Sequence, residues 1–113
     1  MTTRDQQRAQ KAYTRVAARL NQAGEAEYKR FSRSFPALVH TCGLAQAIAY
    51  GQVKAPVQYM SDLADIIGLP DAETLARAGR EAPLPDYQRY SREALASATW
   101  IKRYADAVLR GED

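Results

Sequence analysis

The sequence predicts an all-α fold, a single bundle of five to six helices in which residues 1–113 form one domain. Three observations lead there. Alanine, arginine, glutamine, glutamate and leucine, all good helix formers, dominate the chain. Valine, isoleucine and threonine are few and never alternate over more than three positions, so no strand candidate stands out. Finally, 113 residues that are 46% hydrophobic and 26% charged suit one globular domain with a real core, and no connector is long enough to divide it.

Thr3-Arg4-Asp5-Gln6 has the form of a capping box, and the first helix is expected to run to about Gln22, with Ala9, Ala12, Tyr13, Val16 and Leu20 inward. Gly24 ends it, and a second helix covers about 25–35. Pro36 marks a fresh start or a kink, because proline fits a helix's first turn and not its interior. The third helix, about 36–50, places Leu38, Cys42, Ala45 and Ile48 or Ala49 inward, and 51–55 is a connector. A fourth helix opens at Pro56 with Val57, Met60, Leu63 or Ala64 and Ile67 buried, and Gly68-Leu69-Pro70 stops it. A short helix at about 71–80 leads to the rigid corner Pro83-Leu84-Pro85. The last helix, about 86–110, carries one stripe of Tyr87, Tyr90, Ala94, Ala98, Ile101, Ala105 and Val108.

Catalytic chemistry finds little to work with. His40 and Cys42, one of each in the chain, are two apart on a helix and point about 200° apart, so they cannot share a metal. Asp62 and Asp65 are i, i+3 neighbours, expected to be exposed and solvated rather than metal-bound. Nucleophilic catalysis needs a nucleophile, a base and an orienting group, and no phosphate-cradling glycine loop is present. His40 is expected to be a helix-face residue without a role and Cys42 a small core residue. No metal or cofactor is expected. The charged start excludes a signal peptide, no apolar run approaches membrane-spanning length, and the expected location is the cytoplasm.

Charge is lopsided. The net charge is +3, yet residues 1–40 hold eight basic groups against three acids, a surplus of five that leaves 41–113 at −2. Arg4, Arg8, Lys11, Arg15 and Arg19 recur at helical spacing along one edge, about 115° from the apolar face and roughly 22 Å long. With no acid interleaved after Asp5, such a row suits an acidic partner lying alongside, with a charged surface kept for solubility as the alternative. Lys29, Arg30 and Arg33 would widen it if the second helix folds back alongside. On the last helix Arg89, Arg92, Arg103 and Arg110 share a face with Trp100 at its edge and Lys102 nearby, a pairing suited to stacking on a base or anchoring a partner. Burial of Trp100 in the bundle is the alternative.

Three blocks resemble the small subunit of the type III-B (RAMP-module, or Cmr) CRISPR effector complex. The first is Gln7-Arg8-Ala9-Gln10-Lys11-Ala12-Tyr13 with Val16. The second runs from Phe35-Pro36-Ala37-Leu38 through Gly43-Leu44 and Gln46 to Ala49-Tyr50, and is similar to the family's central helix. The third is Arg92-Glu93-Ala94-Leu95 leading into Trp100-Ile101-Lys102-Arg103-Tyr104-Ala105. Their order and spacing cover about 4–109. Cys42 stands where many members have asparagine, and the stretch between the second and third blocks is shorter than in some.

The resemblance implies a non-catalytic, all-α subunit. Its copies would stack head to tail into a minor filament beside backbone subunits that hold the guide RNA. The filament would help line the path of the target RNA, with the first-helix row from Arg4 to Arg19 on RNA phosphates, and meet the large polymerase-like subunit at one end. The Pro36–Tyr50 block is expected to be mainly core. Two other functions compete with this one. A helix-turn-helix DNA-binding regulator could use Ala64–Asp71 followed by Thr74–Arg77, although Asp71 and Glu73 would then face phosphates. A generic helical interaction module would instead offer its basic rows to an acidic protein.

Overall fold

Thr3 caps the first helix reciprocally: its hydroxyl accepts the Gln6 N–H at 3.0 Å, and its own N–H donates to the Gln6 side chain at 2.8 Å. In the computed structural model, which describes residues 2–110, helix α1 spans Arg4–Ala17. It stops short of residue 22. The Arg19 and Leu20 amides bond three residues back, to Val16 and Ala17, and Asn21 adopts a φ of 63°, which turns the chain toward α2.

Helix α2, Glu25–Cys42, is one helix with Pro36 inside it; of the fresh start or kink expected there, the fresh start does not occur. A proline inside a helix costs about 3 kcal/mol. Here the turns on both sides of it are pinned by Tyr28, Phe31, Phe35 and Val39, all buried, each contributing about 1.5–3 kcal/mol. Burial therefore outweighs the lost hydrogen bond. The true break falls at Gly43, whose φ of 87° and ψ of 160° lie in a region essentially closed to residues with a Cβ. Helix α3, Leu44–Lys54, begins there without a side chain of its own to cap it, and the Tyr87 hydroxyl accepts the Ala45 N–H at 3.1 Å instead. The connector expected at 51–55 is mostly helix. Gly51 is buried in it because a Cβ would come within 2.8 Å of the Met60 sulfur.

Helices α4 (Val57–Ile67), α5 (Ala72–Glu81) and α6 (Leu84–Val108) follow within two residues of expectation. Among the described residues there are six helices and no strand. Helix α6 is the axis of the bundle and touches all five others. Its buried face is Ala94, Ser97, Ala98, Ile101 and Ala105, small side chains that let α1 and α2 approach closely. A second cluster joins Tyr28, Phe31, Phe35 and Tyr59, with ring centroids 4.8–5.5 Å apart.

Several inward assignments need correction. Tyr13 is half exposed, and Cys42 and Val57 face solvent, while Val39 and Ile66, not assigned inward, fill the core; of Ile48 or Ala49 it is Ile48 that is buried, and Ala12 is buried as expected. The Pro36–Tyr50 block is core only in part: Pro36 and Leu44 are buried, whereas Gln46, Ala49 and Tyr50 are exposed.

Gly43→Ala should destabilise the protein by about 1–3 kcal/mol, since the nearest atom to a new Cβ, the Tyr87 hydroxyl, is a tolerable 3.6 Å away and backbone strain is the dominant cost. Denaturant unfolding measures it; a change under half that range would refute the strained junction.

Candidate nucleic-acid interface

Helix α1 packs on α4 and α6, so the edge carrying its basic row faces carboxylates on both neighbours. Arg8 turns to α6, where its Nε and Nη2 donate to the two oxygens of Glu93 at 2.9 and 2.8 Å, a bidentate pair with only 17% of the Glu93 side chain exposed. Its Nη1 reaches Asp5 at 3.1 Å, and Arg4 approaches Glu93 at 3.4 Å. The Arg8 guanidinium holds the Glu93 carboxyl below its ordinary pKa, which burial alone would raise.

Further along the row, Arg15 lies 3.1 Å from Asp65 and 3.5 Å from Asp62, and Arg19 lies 3.4 Å from Asp62. Asp62 is not the solvated carboxylate expected: 1% of its side chain is exposed, and it accepts the buried Tyr28 hydroxyl at 2.7 Å. Burial raises its pKa, while the Tyr28 hydrogen bond, Arg19 and Arg15 pull the other way. Three of the five row cations are therefore tied into the fold by acids that sequence spacing along α1 could not reveal. Replacing the row with alanine would disturb packing, contrary to the expectation of an independent edge.

The α2 cations do not extend the row. The Lys29 Nζ donates to the Leu109 carbonyl at 3.2 Å, and Arg33 pairs with Asp106 at 3.3 Å, both bracing α2 against the end of α6. Arg30 is exposed. Trp100 is half-buried in the seam between α1 and α6. Its ring stacks on Tyr104 at 5.6 Å and its N–H donates to Asp5 at 3.0 Å, so it braces the seam. Arg92, Lys102 and Arg103 project from α6 into solvent.

The start of the first basic row meets one cation of the second, Arg89. A groove of about 240 Å³ between α1, α4 and α6 is lined by Arg4, Gln7, Arg8 and Lys11, by Ile66 and Ile67, and by Arg89 and Glu93. Four cations thus surround one carboxylate. Lys11 makes no ion pair among the described residues, and Arg89 holds Asp86 at 3.4 Å while lying 4.8 Å over the Tyr90 ring. Sequence reasoning missed Glu93, Ile66 and Ile67 as groove residues. The one available signal was Glu93 one turn beyond Arg89 on the same face. No group of three or more potential metal ligands forms among the described residues, and His40 and Cys42 are both exposed on α2. The α4–turn–α5 unit does form, but Asp71 caps α5 by accepting the Thr74 N–H at 2.8 Å and Glu73 is exposed beside it, an unsuitable edge for a phosphate-lined groove.

Two outcomes follow from these pairings. Arg19→Ala should lower stability by about 1–3 kcal/mol by leaving Asp62 under-compensated, read from urea midpoints; an unchanged midpoint would show that Tyr28 and Arg15 suffice. For Glu93, whose folded pKa is depressed below 4.5, the stabilisation is full above that value and lost as pH falls through the folded pKa. The stability gap between wild type and Glu93→Gln should therefore be widest near neutrality and close on acidification; a gap independent of pH would contradict the pairing.

The chain matches the family model described as CRISPR-associated protein (Cas_Cmr5) over residues 4–108. It is 40% identical over 112 residues to the CRISPR system Cmr subunit Cmr5 of Thermus thermophilus, an alignment covering 96% of this chain and 98% of that one. The crystal structure of a CRISPR-associated Cmr5 family protein from Thermus thermophilus superposes with a TM-score of 0.91 at 40% identity, over 96% of this chain and all of the other. The fold is thus shared over nearly the whole chain, and this chain belongs to the CRISPR-associated Cmr5 family.

Proposed function

We propose that this chain is a non-catalytic small subunit of a type III-B (Cmr) RNA-guided, RNA-targeting effector complex acting in antiviral defence in the cytoplasm. Copies stack head to tail into a minor filament beside the backbone subunits and the large polymerase-like subunit. The observation that carries the RNA-contacting part is the meeting of Arg4, Arg8 and Lys11 of α1 with Arg89 of α6 in the α1–α4–α6 groove, where one carboxylate faces four cations. Beyond the groove, Arg30, Arg92, Lys102 and Arg103 stand exposed and without ion pairs among the described residues, so they remain available for phosphate contacts. Phosphate contacts position a strand without reading its sequence, which suits a subunit that must accept any target.

Three apolar side chains support the stacking part. Tyr50 and Val53 of α3 and Val57 of α4 are exposed at one corner of the bundle, a surface that a neighbouring subunit would cover. A head-to-tail contact does not close on itself, so free chains associate weakly and the filament's length is set by the rest of the complex.

Purifying the tagged chain from its host at moderate salt should recover the other Cmr subunits together with guide RNA, and the pure chain should leave labelled RNA intact with divalent metal present. Recovery of the chain alone would count against the subunit role, and RNA cleavage would overturn the non-catalytic one.

A further inference from the structure

The cations around the α1–α4–α6 groove are not equivalent. Arg8 is committed: its Nε and Nη2 serve Glu93, its Nη1 serves Asp5, and 16% of its side chain is exposed. Arg4 is 75% exposed at the rim and touches Glu93 only at 3.4 Å. Lys11 has no partner among the described residues, and Arg89 is half exposed on the facing helix. Ile66 and Ile67, at the end of α4, form the apolar wall. The volume of about 240 Å³ falls below the roughly 300–1,000 Å³ typical of pockets for drug-sized ligands and suits a smaller anion.

Resting on the RNA-contacting function above, we infer that this groove receives one phosphodiester group of a single-stranded nucleic acid, bound by Arg4, Lys11 and Arg89, and that Glu93 is a built-in competitor that sets the strength of the site. The exposed rim at Arg4 opens the groove to solvent, which suits a strand that runs on past it and so a diester rather than a strand end. Glu93 is anchored by the Arg8 fork, so it cannot swing away when a phosphate arrives. Its Oε2 is shared between Arg8 and Arg4, so a phosphate at Arg4 must displace that contact and accept the neighbouring negative charge. The result is a moderate, salt-sensitive grip that releases a strand as readily as it takes one, the behaviour required where many subunits along a filament each contribute a contact.

The test uses the full chain and a labelled oligouridylate with a 5′-hydroxyl, titrated at several salt concentrations. Wild type should bind with salt-dependent affinity. Lys11→Ala/Arg89→Ala should bind more weakly, with a slope of log affinity against log salt shallower by about 1.4. Glu93→Gln, nearly isosteric and still able to accept from Arg8, should bind roughly two- to fivefold tighter at low salt, and that gain should vanish in the Lys11→Ala/Arg89→Ala background. Circular dichroism melts confirm that each variant is folded. If the double variant binds as wild type does, or if wild type shows no salt-dependent binding, both this site and the RNA contact assigned to the groove are overturned. If the double variant weakens binding but Glu93→Gln does not tighten it, the competitor role alone is overturned. A requirement for a 5′-phosphate on the oligonucleotide would overturn the diester assignment in favour of a strand-end site.

Discussion

Asp62 sits where α1, α2 and α4 cross, with 1% of its side chain exposed, and much of the surrounding architecture answers to it. A buried carboxylate without partners is costly by several kcal/mol, so each element that meets it must bring compensation. Helix α2 brings the Tyr28 hydroxyl, and α1 with the turn beyond it brings Arg15 and Arg19. These contacts come from three separate stretches of chain and can all form only when the three helices are correctly docked. That cooperative requirement orients α1 about its own axis. Once Arg15 faces α4, the helical repeat carries Arg8 toward α6 and Glu93 two turns earlier.

The same rotation divides a single row of cations by function. Near the chain's start the row overhangs the groove, and Arg4 and Lys11 stay available. Past the middle it is absorbed into the fold. The surplus of five positive charges in residues 1–40 therefore overstates the field offered to a partner, because acids from α4 and α6 neutralise part of it locally. What remains positive is a shorter patch built from both ends of the chain, α1 and α6 together.

Helix content, order and most boundaries were legible in the sequence because they rest on local rules: the Thr3–Gln6 box, the glycine after α4, and the long small-residue stripe of α6. The failures share a different origin. Pro36 looked like a start or a kink because the local cost is real, and tertiary burial of Phe31, Phe35 and Val39 carries the helix past it. Tyr13, Cys42 and Val57 were placed inward by hydrophobicity, yet Tyr13 lies half exposed with its ring edge-on to Tyr104 of α6, and Cys42 and Val57 face solvent. Asp62 was taken for a solvated residue although it lies one position from Leu63 and three from Tyr59, both buried, so its place on the apolar arc of α4 was visible. Glu93 as the partner of Arg8 was not visible, since 85 residues separate them and no spacing rule links two helices that meet only in the folded bundle.

A TM-score of 0.91 at 40% identity shows that the frame is kept while more than half of the residues differ. The bundle is held by backbone conditions that few side chains can meet, such as the positive φ at Gly43 and the close approach at Gly51, and by a small-residue face on α6. None of these conditions constrains Arg4, Lys11 or Arg89, which lie on the outside of helices already fixed from within. Shared fold therefore does not set the strength of any one contact made by these side chains. Glu93 docks α1 onto α6 through Arg8 and also lines the groove beside it. If the groove receives a phosphate as inferred, a substitution at Glu93 alters stability and binding in opposite directions, because one carboxylate then serves both the fold and the site.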